Sequence, residues 1–182
     1  MKNYKISKNV LTKVIKIFDD KIQSLDMVDD NHYKLVYQNH VKELSDSELI
    51  YTLSSGTTKG VLLYIMVVAA LENGFDLLID EVENHFHKTL VENMISLFKD
   101  KTVNKKSATL LFTTHHCEVL DLFNRQDNIW IAKSDDKIRL DNMYEIYNIR
   151  PELLKSRQFY NNAFDTSVNY EDLMALKKEL MI

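Results

Sequence analysis

Residues Leu53 to Glu81, LSSGTTKGVLLYIMVVAALENGFDLLIDE, constrain the fold more than any other stretch of this chain. A Ser-Gly turn precedes an unbroken apolar run, Val61 to Leu71, which is followed by Asn73-Gly74 and a second apolar run, Phe75 to Ile79, that stops at Asp80-Glu81. The first run has no polar face, so as a helix it is expected to be buried on nearly all sides. Asn-Gly is a common helix C-terminus. The second run is short and apolar, the pattern of a central parallel strand. Acids at the end of such a strand lie where open α/β sheets bind their ligands. At the front, Ser54, Ser55 and Gly56 offer hydroxyls and backbone N–H groups at a helix start, which suits a phosphate.

The flanks supply the rest of an α/β pattern. Val10, Leu11, Val14, Ile15, Ile17 and Phe18 have helical spacing. Ile22–Met27 and Tyr33–Tyr37 predict an antiparallel pair across Asp29-Asp30-Asn31-His32, and residues 39–47 are polar enough to predict a connector. After Glu81, the spacing predicts an amphipathic helix over residues 87–100 and a second buried strand over Ala108–Thr114, ending at His115. Strand, helix, strand in that order predicts a right-handed βαβ unit with Glu81 and His115 at one sheet edge. A further strand pair is expected at residues 128–133 and 137–140. Pro151 is expected to open a helix running to about Phe159, and residues 170–182 to form a last amphipathic helix.

Composition limits the function classes. At 182 residues, 45% apolar and 27% charged, one soluble domain is expected. The net charge of -4 gives no support to nucleic-acid binding, and the basic cluster Arg150, Lys155 and Arg157 is too small to change that. The single cysteine, Cys117, excludes an internal disulfide and suits a reducing cytosol. The N-terminus MKNYKISKNV has no signal-peptide core, and no apolar run reaches membrane-spanning length, so a cytoplasmic location is expected. Only Gly56, Gly60 and Gly74 are present, and none lies in the G-x-x-x-x-G-K-S/T pattern of a phosphate-wrapping loop.

Four pieces in this order resemble the C-terminal half of an ABC-class AAA-type ATPase, of the abortive-infection and overcoming-lysogenization-defect branch. Leu53-Ser54-Ser55-Gly56-Thr57 is similar to the signature motif, with Ser55 in place of the first glycine of the usual pair. Phe75 to Glu81 is similar to the Walker B strand and its catalytic glutamate. Glu83-Asn84-His85-Phe86-His87 stands in the D-loop position, and Leu110 to His115 is similar to the switch-histidine strand, with His116 where a serine usually follows. The likeness covers about residues 53–133.

The resemblance implies an α/β, P-loop NTPase-like (RecA-like) fold with a mainly parallel sheet, flanking helices and no Walker A portion. Residues 1–50 correspond to the end of a helical arm and its hairpin, residues 51–133 to the core, and residues 134–182 to a C-terminal hairpin and helices. It implies ATP and Mg²⁺ as cofactors. Ser54, Ser55 and Gly56 then face the γ-phosphate, Asp80 holds Mg²⁺ through water, Glu81 orients and deprotonates the attacking water, and His115 senses the γ-phosphate. It also implies a Walker A-bearing N-terminal half or second ATPase subunit as partner, in a dimer or hetero-oligomer with an anti-phage role. Hydrolysis is expected only in that complemented state.

Each feature has a plainer explanation. An isolated Ser-Ser-Gly more often caps a core helix, two acids after a strand are commonly solvated, and a lone histidine is commonly a satisfied surface or core group. The ordered set of motifs favours the site. His85, His87, His115, His116 and Cys117 are zinc-ligand types, but without a usual zinc spacing. The missing Walker A strand is expected to leave the edge of Ala108–Thr114 open for pairing. A degenerate, non-hydrolysing binding module, or a truncated ATPase, is the alternative.

Overall fold

Helical spacing at the N-terminus produces α1, Lys8–Phe18, which buries Val14 and Ile15 and leaves Ile17 45% exposed. The computed structural model describes residues 7–29, 31–84, 86–134, 136–166 and 170–180. Residues 1–6, Asp30, His85 and residues 181–182, on which parts of the sequence argument fell, lie outside the described residues. The chain divides into two compact units, Met1–Thr113 and Thr114–Ile182, with the boundary inside the stretch expected as the ATPase core.

In the first unit, β1 (Ile22–Met27), β2 (His32–Tyr37) and β3 (His40–Ser45) form an antiparallel meander. The first two strands lie where the alternation predicts them, with Leu25 opposite Leu35 and both buried. The third replaces the expected connector. Its turn, Gln38-Asn39, has positive φ at both positions, the two-residue geometry that suits a twisted hairpin. Its sequence reads as a loop because four of its six residues face solvent and only Leu44 is buried. The Thr12 hydroxyl donates to the Leu25 carbonyl (3.3 Å), tying α1 to β1.

Ser45 ends β3 and starts α2 (Asp46–Thr52) with a capping box, accepting from the Glu48 N–H while its own backbone N–H donates to the Glu48 carboxylate (2.8 Å). Ser54 then caps α3 (Ser55–Asn73), which Gly74 ends with φ 77°, the left-handed closure glycine allows. The Phe18 ring lies so close over Gly60 that an added Cβ would sit 2.2 Å from it. Phe18 also meets Tyr64 edge to face at 5.4 Å, and the Tyr64 hydroxyl donates to the Leu90 carbonyl (2.9 Å). The expected burial of α3 on nearly all sides needs correction, because Leu62 (56%) and Met66 (48%) are exposed. Among the described residues, α3 is the one helix long and apolar enough, by length and composition, to cross a membrane.

The second apolar run becomes β4 (Leu77–Ile79), which pairs in parallel with β5 (Leu110–Phe112) across α4 (Lys88–Lys99). Val91, Met94 and Ile95 are the buried stripe of α4. Both strands were expected to be buried, and that too is corrected. Leu78 and Leu111 are register partners and stand 73% and 62% exposed, because the sheet's outward face is left uncovered. Leu77, Ile79, Leu110 and Phe112 alternate to the covered side.

The second unit opens with a 3₁₀ helix, Cys117–Leu122. Strands β6 (Trp130–Ser134) and β7 (Ile138–Asn142) form the expected antiparallel pair and are followed by α5 (Met143–Ile146), α6 (Lys155–Tyr160) and α7 (Tyr170–Glu179). Ile129, Ile131, Met143 and Phe164 make its core, with Tyr147 edge to face on Phe164 at 5.1 Å. Pro151 lies in a turn and not at a helix start. Helix α6 begins four residues later, where Asp121 accepts from the Ser156 N–H (3.1 Å) and from its hydroxyl.

Candidate functional site

The Ser-Gly turn folds as a helix N-terminus. The Ser54 hydroxyl accepts from the Thr57 N–H (3.0 Å) and shares a hydrogen bond with the Thr57 hydroxyl (2.9 Å). Ser55 and Gly56 are the first two residues of α3, Ser54 and Ser55 are exposed, and a Cβ on Gly56 would meet only the Ser54 hydroxyl, at 3.9 Å. The cap and the open end of a long helix are therefore both present. This is the dipole end that favours an anion.

The acid pair sits at the tip of β4, and its surroundings come from β5. The ladder pairs Ile79 with Phe112, so the first polar residues after the two runs, Asp80 and Thr113, fall side by side. Thr113 then makes four hydrogen bonds to consecutive residues of the other strand's end. Its N–H donates to the Ile79 carbonyl (3.0 Å) and its carbonyl accepts from the Val82 N–H (3.0 Å). Its hydroxyl donates to Asp80 Oδ1 (2.5 Å) and accepts from the Glu81 N–H (2.7 Å). Glu81 itself has φ 48°, a left-handed conformation that costs an L-residue about 1–2 kcal/mol. Such strain persists where the surroundings over-determine the backbone, and it concentrates at functional sites. On the other side, Asn84 donates from Nδ2 to Glu81 Oε2 and from its N–H to the Glu81 carbonyl, both at 2.8 Å.

Sequence reasoning nominated both acids and missed Thr113 and Asn84 as their holders. The signal for Thr113 was the common end point of two apolar runs in a parallel pair. Asn84 was legible only as a D-loop position.

His115 belongs to the second unit, so its expected place beside Glu81 is not a feature of either unit alone. It is exposed and precedes the 3₁₀ helix, where the His116 N–H donates to the Thr114 hydroxyl (3.1 Å). In the same unit the Tyr160 hydroxyl donates to Glu118 Oε1 (2.8 Å), and the neighbouring Cys117 thiol, with Glu118, raises the phenol above its ordinary range. His87 caps α4, with Nδ1 accepting from the Thr89 N–H (3.3 Å). Among the described residues no group of three histidine, cysteine, aspartate or glutamate side chains is gathered to hold a metal ion.

Tested against Mg²⁺ and ATP, the residues fit part of the group. Asp80 commits Oδ1 to Thr113 and is exposed at a strand tip, as a carboxylate that meets a hydrated cation must be. No glycine is left to wrap the β-phosphate. Gly56 is helical, Gly60 is under Phe18, and Gly74 closes α3. A cleft of about 840 Å³ in the second unit, between Asn124–Asp127 and Tyr144–Ile149, holds none of the nominated residues. Of its charged lining residues, Arg125 and Asp127 pair with each other. The strand-tip acids are thus the stronger candidate. Compared with known proteins, the chain matches no family model and no curated sequence.

Proposed function

We propose that this chain is the signature- and Walker B-bearing part of an ABC-class AAA-type ATPase, completed by a partner that supplies the phosphate-wrapping loop. The observation that carries this is the acid pair at the tip of a parallel βαβ unit, with Glu81 held in a strained backbone by Thr113 and its carboxylate held by Asn84. An unstrained, solvated pair of acids would need neither.

In this function a bound Mg²⁺ neutralises charge on the transferring phosphoryl group. Asp80 would hold the hydrated cation. Glu81 orients a water and takes its proton on a carboxylate oxygen. Ser54, Ser55 and Gly56, at the positive end of α3, face the γ-phosphate held by the partner. A γ-phosphate contact from His115, which lies in the second unit, rests on the family resemblance alone. An abortive-infection role, a cytoplasmic location and a dimeric or hetero-oligomeric state belong to the same proposal and rest on family analogy.

A second function, a non-hydrolysing module that only pairs with another protein, is favoured by the exposed Leu78–Leu111 pair. Trapping separates the two. Mixed with a Walker A-bearing partner and ATP, Glu81→Gln is expected to form a nucleotide-retaining complex that outlasts the wild-type one on gel filtration. Equal lifetimes for both, with or without ATP, would favour the pairing module.

A further inference from the structure

The Thr113 hydroxyl is tied to both acids at once. A hydroxyl has one proton and two lone pairs. Here the proton goes to Asp80 Oδ1 (2.5 Å), and a lone pair takes the Glu81 N–H (2.7 Å). Because the Thr113 main chain also pairs with Ile79 and Val82, the hydroxyl cannot drift relative to the turn it holds. Thr113 is exposed at the end of β5. Valine would fill the same volume and hold neither acid.

We propose that Thr113 is the positioning residue of the acid pair: its hydroxyl aims Asp80 at the cation and, through the Glu81 N–H, fixes the backbone that presents the catalytic carboxylate. This rests on the ATPase function proposed above. A serine at this position retains the proton and the lone pairs, whereas valine and alanine lose them. The effect on the cation is that of an outer-sphere partner, whose loss commonly lowers metal affinity 10- to 100-fold.

The test uses the whole chain, Mn²⁺ as the probe and amide NMR as the readout, so it needs neither the partner nor turnover. In the wild type, the Glu81 amide is expected to exchange slowly, and Mn²⁺ to broaden the resonances of Asp80 to Val82. Thr113→Val is expected to speed Glu81 exchange about tenfold or more and to weaken Mn²⁺ binding about tenfold, while Thr113→Ser restores both. If Thr113→Val loses the β4–β5 amides altogether, Thr113→Ser decides: wild-type Mn²⁺ binding supports the hydroxyl's role, and lost binding in a folded protein overturns it. Asp80→Asn separates the two levels. Mn²⁺ broadening that survives Asp80→Asn overturns the ATPase function and the positioning role together. Broadening that requires Asp80 but is unchanged in Thr113→Val overturns the positioning role alone.

Discussion

Glu81 and the glycines show, residue by residue, where local stability gives way to other demands. Glu81 holds φ 48°, a conformation that glutamate does not favour on its own. Asparagine tolerates that conformation better, so Glu81→Asn is expected to raise stability by up to about 1 kcal/mol in urea unfolding while removing any hydrolysis. A destabilised Glu81→Asn would mean that the Asn84 hydrogen bond outweighs the backbone strain. Gly56 gives the same contrast from the other end of the site. A methyl there meets only the Ser54 hydroxyl, at 3.9 Å, so Gly56→Ala is expected to stabilise α3 by about 0.5–1 kcal/mol, yet it narrows the approach of a phosphate. Gly74→Ala is expected to do the reverse. With φ 77° and the Lys106 carbonyl 2.7 Å from an added Cβ, it should cost about 1–2 kcal/mol or more, read as a lower urea midpoint.

At the level of elements, the capping box of α2 links sequence to pH dependence. The Ser45 backbone N–H first, and its hydroxyl second, lower the Glu48 carboxyl below its ordinary value. A group whose folded value is depressed stabilises the fold above its unfolded value, near pH 4.3, and loses that contribution as pH falls through the lower folded value. Glu48→Gln is therefore expected to flatten the loss of stability between about pH 5 and pH 3, measured as the urea midpoint at each pH. An unchanged slope would show that this contact is solvated away. The same scale shows what was legible in the sequence. Helix α3, its Ser54 and Gly74 ends, and the β1–β2 and β6–β7 pairs all follow from periodicity and turn residues, because those signals act within a few residues. Strand β3 did not, since its outward face is polar and its turn uses Gln38-Asn39 in place of a glycine. Pro151 misled because proline suits a turn as well as a helix start. Within the site, the acids stood out as the end of an apolar run, whereas Thr113 acquires its role only from the parallel register of β4 and β5.

For the whole molecule, the uncovered faces matter most. Leu78 and Leu111 stand side by side on a two-stranded sheet, and Trp130, Leu140 and Ile138 are 55%, 63% and 82% exposed in the second unit. Short parallel strands with open edges and an apolar outer face are pairing sites. Leu78→Ser with Leu111→Ser is expected to reduce self-association of the purified chain in sedimentation velocity, and unchanged association would place the contact elsewhere. On the proposed function, activity depends on a partner that supplies the phosphate-wrapping loop. The most direct measurement is ATP turnover by the purified chain alone, with a Walker A-bearing partner, and with that partner plus Glu81→Gln. The proposed function predicts no turnover alone, turnover in the complex, and a loss of about 10²–10⁴-fold in Glu81→Gln. Turnover by the chain alone, or complemented turnover that survives Glu81→Gln, would contradict it.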